Sequence, residues 1–295
     1  MRLLFIRHGD PDYEHDALTD VGKTEADALA KHILDWNIDE VYLSPLGRAR
    51  ATAVPSLKTM GDAGISLTDG SGVTSDFGDT SGSGQGLSDR GRETFTDMIV
   101  RERTLDWLKE FDAMVDVPVM PKWLEAYPNS VLPDGSYRKR IVWDMVPAYL
   151  NKHPEYFETW GWRDTELACD TDIVEKYDNV CAKIDEFLAG YGYVRDGLEY
   201  RVDTECDKTI AFFCHFGVTC VILSHFMNVS PFGLWHGMCL APSSVTEVFS
   251  EERQQGSALF RAWKLGDVTH LTLEGLKPSF AARFCEVYSD MTQRH

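Results

Sequence analysis

Leu3-Leu4-Phe5-Ile6-Arg7-His8-Gly9 opens the chain with the clearest architectural signal in it. Its first four residues form an unbroken apolar run rather than an alternating one, which is how a strand covered on both faces of a parallel sheet reads. Downstream, Thr19 can cap a helix in which Ala26, Leu29, Ala30, Ile33 and Leu34 recur at i, i+3, i+4, i+7 and i+8. Val41-Tyr42-Leu43 supplies a second short strand; Pro45 suits a first helical turn, and Ala49, Thr52, Ala53 and Leu57 continue at helical spacing. Strand, helix, strand, helix predicts an α/β fold with a mostly parallel central sheet flanked by helices.

Farther along, Thr104-Leu105-Asp106-Trp107-Leu108, Thr209-Ile210-Ala211-Phe212-Phe213-Cys214, Val245 to Phe249 and Leu259 to Leu265 read as further strands. Residues 62–101 are rich in Gly, Ser and Asp and read as a flexible insertion; the carboxylates there lack the ligand spacing of a calcium loop. Residues 112–205 hold many aromatics and an amphipathic helix around Val174 to Leu188, predicting a mainly helical insertion that caps one end of the sheet. The whole of 1–295 is read as a single domain.

Composition narrows the partners. The 295 residues carry 29 Lys and Arg against 47 Asp and Glu, a formal charge of −18 that repels phosphate backbones and anionic headgroups. Nucleic acid and membrane are therefore not expected as partners, and any phosphate site must be a local one. No apolar stretch approaches the roughly 18 to 20 residues a membrane span needs. The apolar run so close to Met1 leaves no room for a secretory leader, and seven cysteines without a Cys-x-x-Cys pair suggest neither disulfide framework nor zinc knuckle. The expected setting is cytoplasmic, and the expected cofactor and metal requirement is none.

Ligands of open α/β sheets bind beyond the carboxyl ends of the strands. Residues directly following the apolar runs are Arg7, His8 and Gly9; Ser44, Pro45 and Arg48; Glu110; and His215 and Gly217. A neutral imidazole is a good nucleophile toward phosphorus, two guanidiniums can hold the equatorial oxygens of a transferring phosphoryl group, and a carboxylic acid can protonate a poor leaving alkoxide. Gly9 would let backbone approach the phosphate closely. Asp10 and Asp12 lie too far beyond the apolar run to act as a phosphatase Asp-x-Asp pair.

At these residues the sequence resembles the histidine phosphatase superfamily, also called phosphoglycerate mutase-like. The resemblance rests on Leu3 to Gly9, on Leu18-Thr19 with Gly22 and Ala26, on Ser44-Pro45-Leu46-Gly47-Arg48-Ala49-Arg50-Ala51-Thr52-Ala53, and on His215-x-Gly217. It implies a metal-independent phosphatase with a small phosphorylated substrate. His8 would become the phosphohistidine, Arg7 and Arg48 would clamp the phosphoryl oxygens, and His215 would be the second catalytic and phosphate-binding histidine. The acid expected in a Leu-x-Glu element fits Leu108-Lys109-Glu110 best, with Leu124-Glu125 as the competitor. A phosphomutase and a catalytically silent phosphoryl-ligand binder are the alternatives.

Where relatives carry a phosphate-binding Asn, this chain has Asp10-Pro11-Asp12-Tyr13-Glu14-His15-Asp16. Carboxylates within a Debye length of roughly 8 to 10 Å would repel a multiply phosphorylated substrate. A small monoester with a neutral or cationic leaving group is expected, with Arg138, Lys139 and Arg140 available as local counter-charges.

Overall fold

The computed structural model describes residues 1–65, 94–117 and 119–279. Its main sheet has seven strands: β1 (Arg2–Arg7), β2 (Glu40–Leu43), β3 (Tyr193–Asp196), β4 (Glu199–Val202), β5 (Thr209–Cys214), β6 (Val245–Gln254) and β7 (Ser257–Asp267). Their spatial order is β2-β5-β1-β6-β7-β4-β3. Strands β2, β5 and β1 run parallel, whereas β1–β6, β6–β7, β7–β4 and β4–β3 are antiparallel. The sheet is thus mixed, not mostly parallel. The reason is local: β6 and β7 are joined by only Gln255 and Gly256, with φ +80 at the glycine, and so short a connection can only return the chain antiparallel. Gly197, at φ +60, turns β3 back into β4 in the same way.

Side-chain alternation along β1 explains its apolar run. Leu3 and Phe5 pack into one core with Phe212, Ile184, Val221 and Ile222; Leu4 and Ile6 pack into the other with Ala211, Phe213, Leu29, Ala53 and Leu57. Each fully buried side chain of this kind contributes about 1.5–3 kcal/mol. A slip of one residue would exchange the two faces, so the register that delivers His8 to the strand end is firmly set.

Helix α1 (Asp20–His32) begins where expected, with the Thr19 hydroxyl accepting from the Gly22 N–H at 3.1 Å. It ends earlier than the periodicity suggests, Ile33–Trp36 forming a 3₁₀ turn that leaves Leu34 exposed. Helix α2 (Gly47–Asp62) starts two residues after Pro45, which therefore lies outside it. On the opposite face of the sheet lie α4 (Ile173–Ala189), matching the expected amphipathic helix, and α5 (Phe216–Met227), the helix that follows β5.

Three other expectations change. Of the 62–101 insertion, residues 66–93 lie outside the described residues; at its far end Thr94 caps a helix, α3 (Phe95–Glu102), that packs on α2. Residues 104–108 form no strand: a single parallel bridge joins Thr104 to Leu43, and Asp106–Leu108 is a 3₁₀ turn. Within 112–205, short turns and α4 are followed by the β3–β4 hairpin, which is part of the main sheet. No helix among the described residues is long and apolar enough to cross a membrane.

Candidate active site

The carboxyl ends of the three parallel strands hold the site. Beyond β1 the pairing continues: the His8 N–H donates to the Cys214 carbonyl at 3.1 Å, the Arg7 N–H to the Ser244 carbonyl at 3.0 Å, and the His8 carbonyl accepts from Ser243 at 3.0 Å. His8 is thereby fixed from both sides and is 1% exposed. Beyond β2, the Ser44 N–H donates to the Phe213 carbonyl at 2.9 Å. Beyond β5 stands His215, fully buried at the start of α5.

These sequence-distant groups meet. The His8 and His215 rings are 5.1 Å apart between centroids. Nδ1 of His8 lies 2.8 Å from the Gly9 carbonyl, an acceptor, so Nδ1 carries the proton and Nε2 keeps its lone pair. Nε2 of His215 lies 2.7 Å from the Ser44 hydroxyl, which also accepts the Leu46 N–H at 3.2 Å. With the hydroxyl proton directed to Nε2, His215 presents an Nδ1–H. Arg7 is anchored by Nη1 on the Leu240 carbonyl at 2.5 Å, with its guanidinium 5.9 Å from the Phe216 ring. Arg48 is 8% exposed in the first turn of α2 and pairs with Asp16 at 2.6 Å.

What remains unpaired is informative. His8 Nε2, His215 Nδ1, Arg7 Nε and Arg48 Nε are all buried without a hydrogen-bond partner. Buried polar nitrogens ordinarily have partners, and leaving one without costs about 1–3 kcal/mol. At this sheet end the Arg7 and Arg48 guanidiniums supply positive charge suited to an anion, beside two imidazoles that each keep one ring nitrogen unpartnered.

Burial, then the Arg7 charge and to a smaller extent that of Arg48, hold His8 well below the usual imidazole range, although the hydrogen bond its Nδ1–H donates to the Gly9 carbonyl works the other way. His215 is held low by burial and by His8, Arg48 and Arg7. Both rings are therefore neutral at neutral pH, and a neutral His8 is the nucleophilic form.

Glu110 sits at the amino end of α5. Its Oε1 accepts from Gly217 at 2.8 Å, Val218 at 3.2 Å and Phe111 at 2.9 Å, whereas Oε2 has no partner among the described residues. Burial raises its pKa despite these N–H groups and the Arg7 and Arg48 charges, so it favours its proton more than an ordinary carboxyl does. Glu125 is elsewhere: it is an exposed residue paired with Lys152 at 2.5 Å. Lys139 pairs with Asp116, and Arg140 lies 3.7 Å from Asp144, so neither stands as a free counter-charge.

Two glycines have spatial causes. A Cβ on Gly9 would come 2.7 Å from the Gly22 carbonyl oxygen, so the packing of the β1 turn on α1 by itself requires glycine here. A Cβ on Gly217 would lie 2.3 Å from the Trp143 ring and 2.7 Å from Glu110 Oε1. Gly217→Ala is expected to lower unfolding free energy by about 1–3 kcal/mol in a denaturant titration and, on the function proposed below, to reduce turnover as well, because the methyl displaces the Glu110 carboxyl. Unchanged turnover would reject that coupling.

Sequence reasoning missed Asp16 as a partner of Arg48, having counted it only among repelling carboxylates. It also left Ser44 and Thr52 without roles; the Thr52 hydroxyl accepts the Gly9 N–H at 2.9 Å and donates to the Arg48 carbonyl at 2.8 Å. The Ser-Pro-Leu-x-Arg-Ala-x-x-Thr-Ala string contained both signals. Among the described residues, no cluster of three or more His, Cys, Asp or Glu could hold a metal ion.

Comparison with known proteins gives one family match: residues 3–98 match the histidine phosphatase superfamily (branch 1). The resemblance seen in Arg7-His8-Gly9 and the Ser44 to Ala53 string stands over that stretch. No curated protein matches. Among solved structures, a phosphoserine phosphatase from Entamoeba histolytica in complex with phosphoserine is 14% identical, over 92% of this chain and 98% of that one, with a TM-score of 0.47. A mycobacterial glucosyl-3-phosphoglycerate phosphatase in complex with VO3 is 15% identical, over 89% and 97%, with a TM-score of 0.44. The substrates in those names are properties of those proteins.

Proposed function

We propose that this chain, whose residues 3–98 match the histidine phosphatase superfamily, hydrolyses a small phosphate monoester through a phosphohistidine on His8. The observation that carries the reading is the meeting at one sheet end of two buried imidazoles, 5.1 Å apart between centroids and each with one unpartnered nitrogen, with the Arg7 and Arg48 guanidiniums.

In the proposed cycle the phosphoryl group of the ester lies against Arg7, Arg48 and the His215 Nδ1–H, which share its three equatorial oxygens. The His8 Nε2 lone pair attacks phosphorus in line, forming the P–N bond as the ester P–O bond breaks. Glu110 gives its proton to the departing alkoxide oxygen. The resulting carboxylate then takes a proton from water as its oxygen attacks phosphorus; the P–N bond breaks, orthophosphate leaves and His8 is neutral again. Holding the guanidiniums in place before the reaction avoids reorganisation as charge shifts across the phosphoryl oxygens.

The test is a panel of small phosphate monoesters with orthophosphate release as readout. Release of orthophosphate and the free alcohol from at least one monoester, undiminished by EDTA, is the expected result. EDTA is expected to be harmless because the catalytic groups are two imidazoles, two guanidiniums and one carboxyl that favours its proton, a poor divalent-cation site. An isomerised ester without free phosphate would replace hydrolysis by phosphoryl transfer within the substrate, and orthophosphate binding without turnover of any monoester would leave a binding protein.

A further inference from the structure

Asp16 is used with both carboxylate oxygens. Oδ1 pairs with Nη1 of Arg48 at 2.6 Å, and Oδ2 accepts the Gly47 N–H at 2.6 Å. Helix α2 has no side-chain cap of its own, Leu46 occupying the cap position, so a residue 31 positions upstream supplies the acceptor. The approach is close: a Cβ on Gly47 would lie 2.3 Å from the Asp16 carbonyl oxygen. Asp16 itself adopts φ +48, the left-handed region that Asp and Asn tolerate better than other side-chain-bearing residues.

The segment bearing it is well tied. Pro11 and Asp12 pair with Leu18 and Ala17, Asp12 accepts from the Glu14 and His15 N–H groups, and the Thr19 hydroxyl donates to Asp10 at 2.7 Å. The same segment brings the Tyr13 ring to 5.3 Å from the Arg48 guanidinium. Arg48 is thus gripped by one ion pair and one ring, while its Nε remains unpartnered for a phosphoryl oxygen.

We propose that Asp16 is a positioning residue for phosphoryl transfer, acting through Arg48. The inference rests on the phosphatase reading above. Asp16 fixes the direction of the guanidinium, which matters most when in-line geometry must be met, and misplacement on the scale of an ångström can cost about a hundredfold in rate. Its negative charge also offsets part of the pull of Arg48 on a resting dianion. Asp16 therefore weakens ground-state binding while supporting the transition state, and that difference is what raises turnover.

Asp16→Asn separates these effects. An Asn oxygen still accepts the Gly47 N–H, and Asn tolerates the left-handed backbone, so the melting temperature is expected to stay close to wild type. With the ion pair gone, kcat is expected to fall about tenfold or more. With the charge gone, inorganic phosphate is expected to inhibit at a concentration at least about twofold lower. Asp16→Ala should show the same loss of kcat together with a lower melting temperature, because the cap is lost too. Wild-type kcat in the Asn variant, or weaker phosphate inhibition, would overturn the proposal. If the wild-type protein hydrolyses no monoester, the phosphatase reading fails on that result alone. Phosphate binding measured by thermal shift still decides the role of Asp16: tighter in Asp16→Asn supports it, unchanged or weaker rejects it.

Discussion

Replacing His8 by Ala is expected to abolish turnover, a loss of about four orders of magnitude or more, since no neighbouring group can take over the P–N bond. His215 is the nearest imidazole, at 5.1 Å between centroids, but its Nε2 is engaged by Ser44. In the proposed cycle its Nδ1–H faces an equatorial phosphoryl oxygen and not the in-line axis. The decisive measurement is covalent. Wild type mixed briefly with a radiolabelled monoester and quenched in alkali should retain acid-labile label on one histidine, and His8→Ala should retain none. Labelled His8→Ala, or residual turnover within tenfold of wild type, would move the nucleophile elsewhere.

Glu110→Gln is expected to lower kcat/KM, which reports the phosphorylation step, by about 10²–10⁴ on an alkyl phosphate but much less on 4-nitrophenyl phosphate, whose leaving group departs without a proton. The amide keeps an oxygen for the Gly217 and Val218 N–H groups, so the amino end of α5 stays satisfied. pH adds a second readout. Because burial raises Glu110, it keeps its proton to a higher pH than an ordinary carboxyl, and a rate that needs that proton falls as pH climbs through the raised value. His8, held low, remains nucleophilic until pH drops through its lowered value. The kcat/KM profile on an alkyl ester should then have an acid limb from His8 and an alkaline limb from Glu110, and Glu110→Gln should remove only the second. Glu125→Gln, at an exposed ion pair away from the site, should change neither limb. Equal losses of kcat/KM on both esters in Glu110→Gln would deny it the role of acid.

Much of this was legible in the chain because β1, α1 and α2 obey local rules. An apolar run buried on both faces, a threonine cap and a helical period all report on their own residues. Arg7, His8, Arg48 and His215 follow recognisable strands, so the rule of strand ends located them. The antiparallel half of the sheet was missed because β6 and β7 are legible as strands while their direction is written only in the two-residue Gln255-Gly256 turn. The Asp196-Gly197 signal between β3 and β4 was passed over for the same reason, within a stretch dominated by aromatics. The strand expected to carry Glu110 is absent: the 104–108 run is one bridge and a 3₁₀ turn, and the residue is placed by the amino end of α5, which no nearby sequence announces. Asp16 was misread because a row of acidic residues shows its charge plainly but not its partner.

Strand β5 lies between β1 and β2, although the chain makes both of those first. While a ribosome is still short of Thr209, the two leading strands have no shared neighbour, and each lacks the ladder that would hold its end residues in place. Synthesis must therefore carry the nascent chain past Cys214 before the pocket can assemble, and a fragment stopped at residue 98 would bear the family signature without Glu110 and His215.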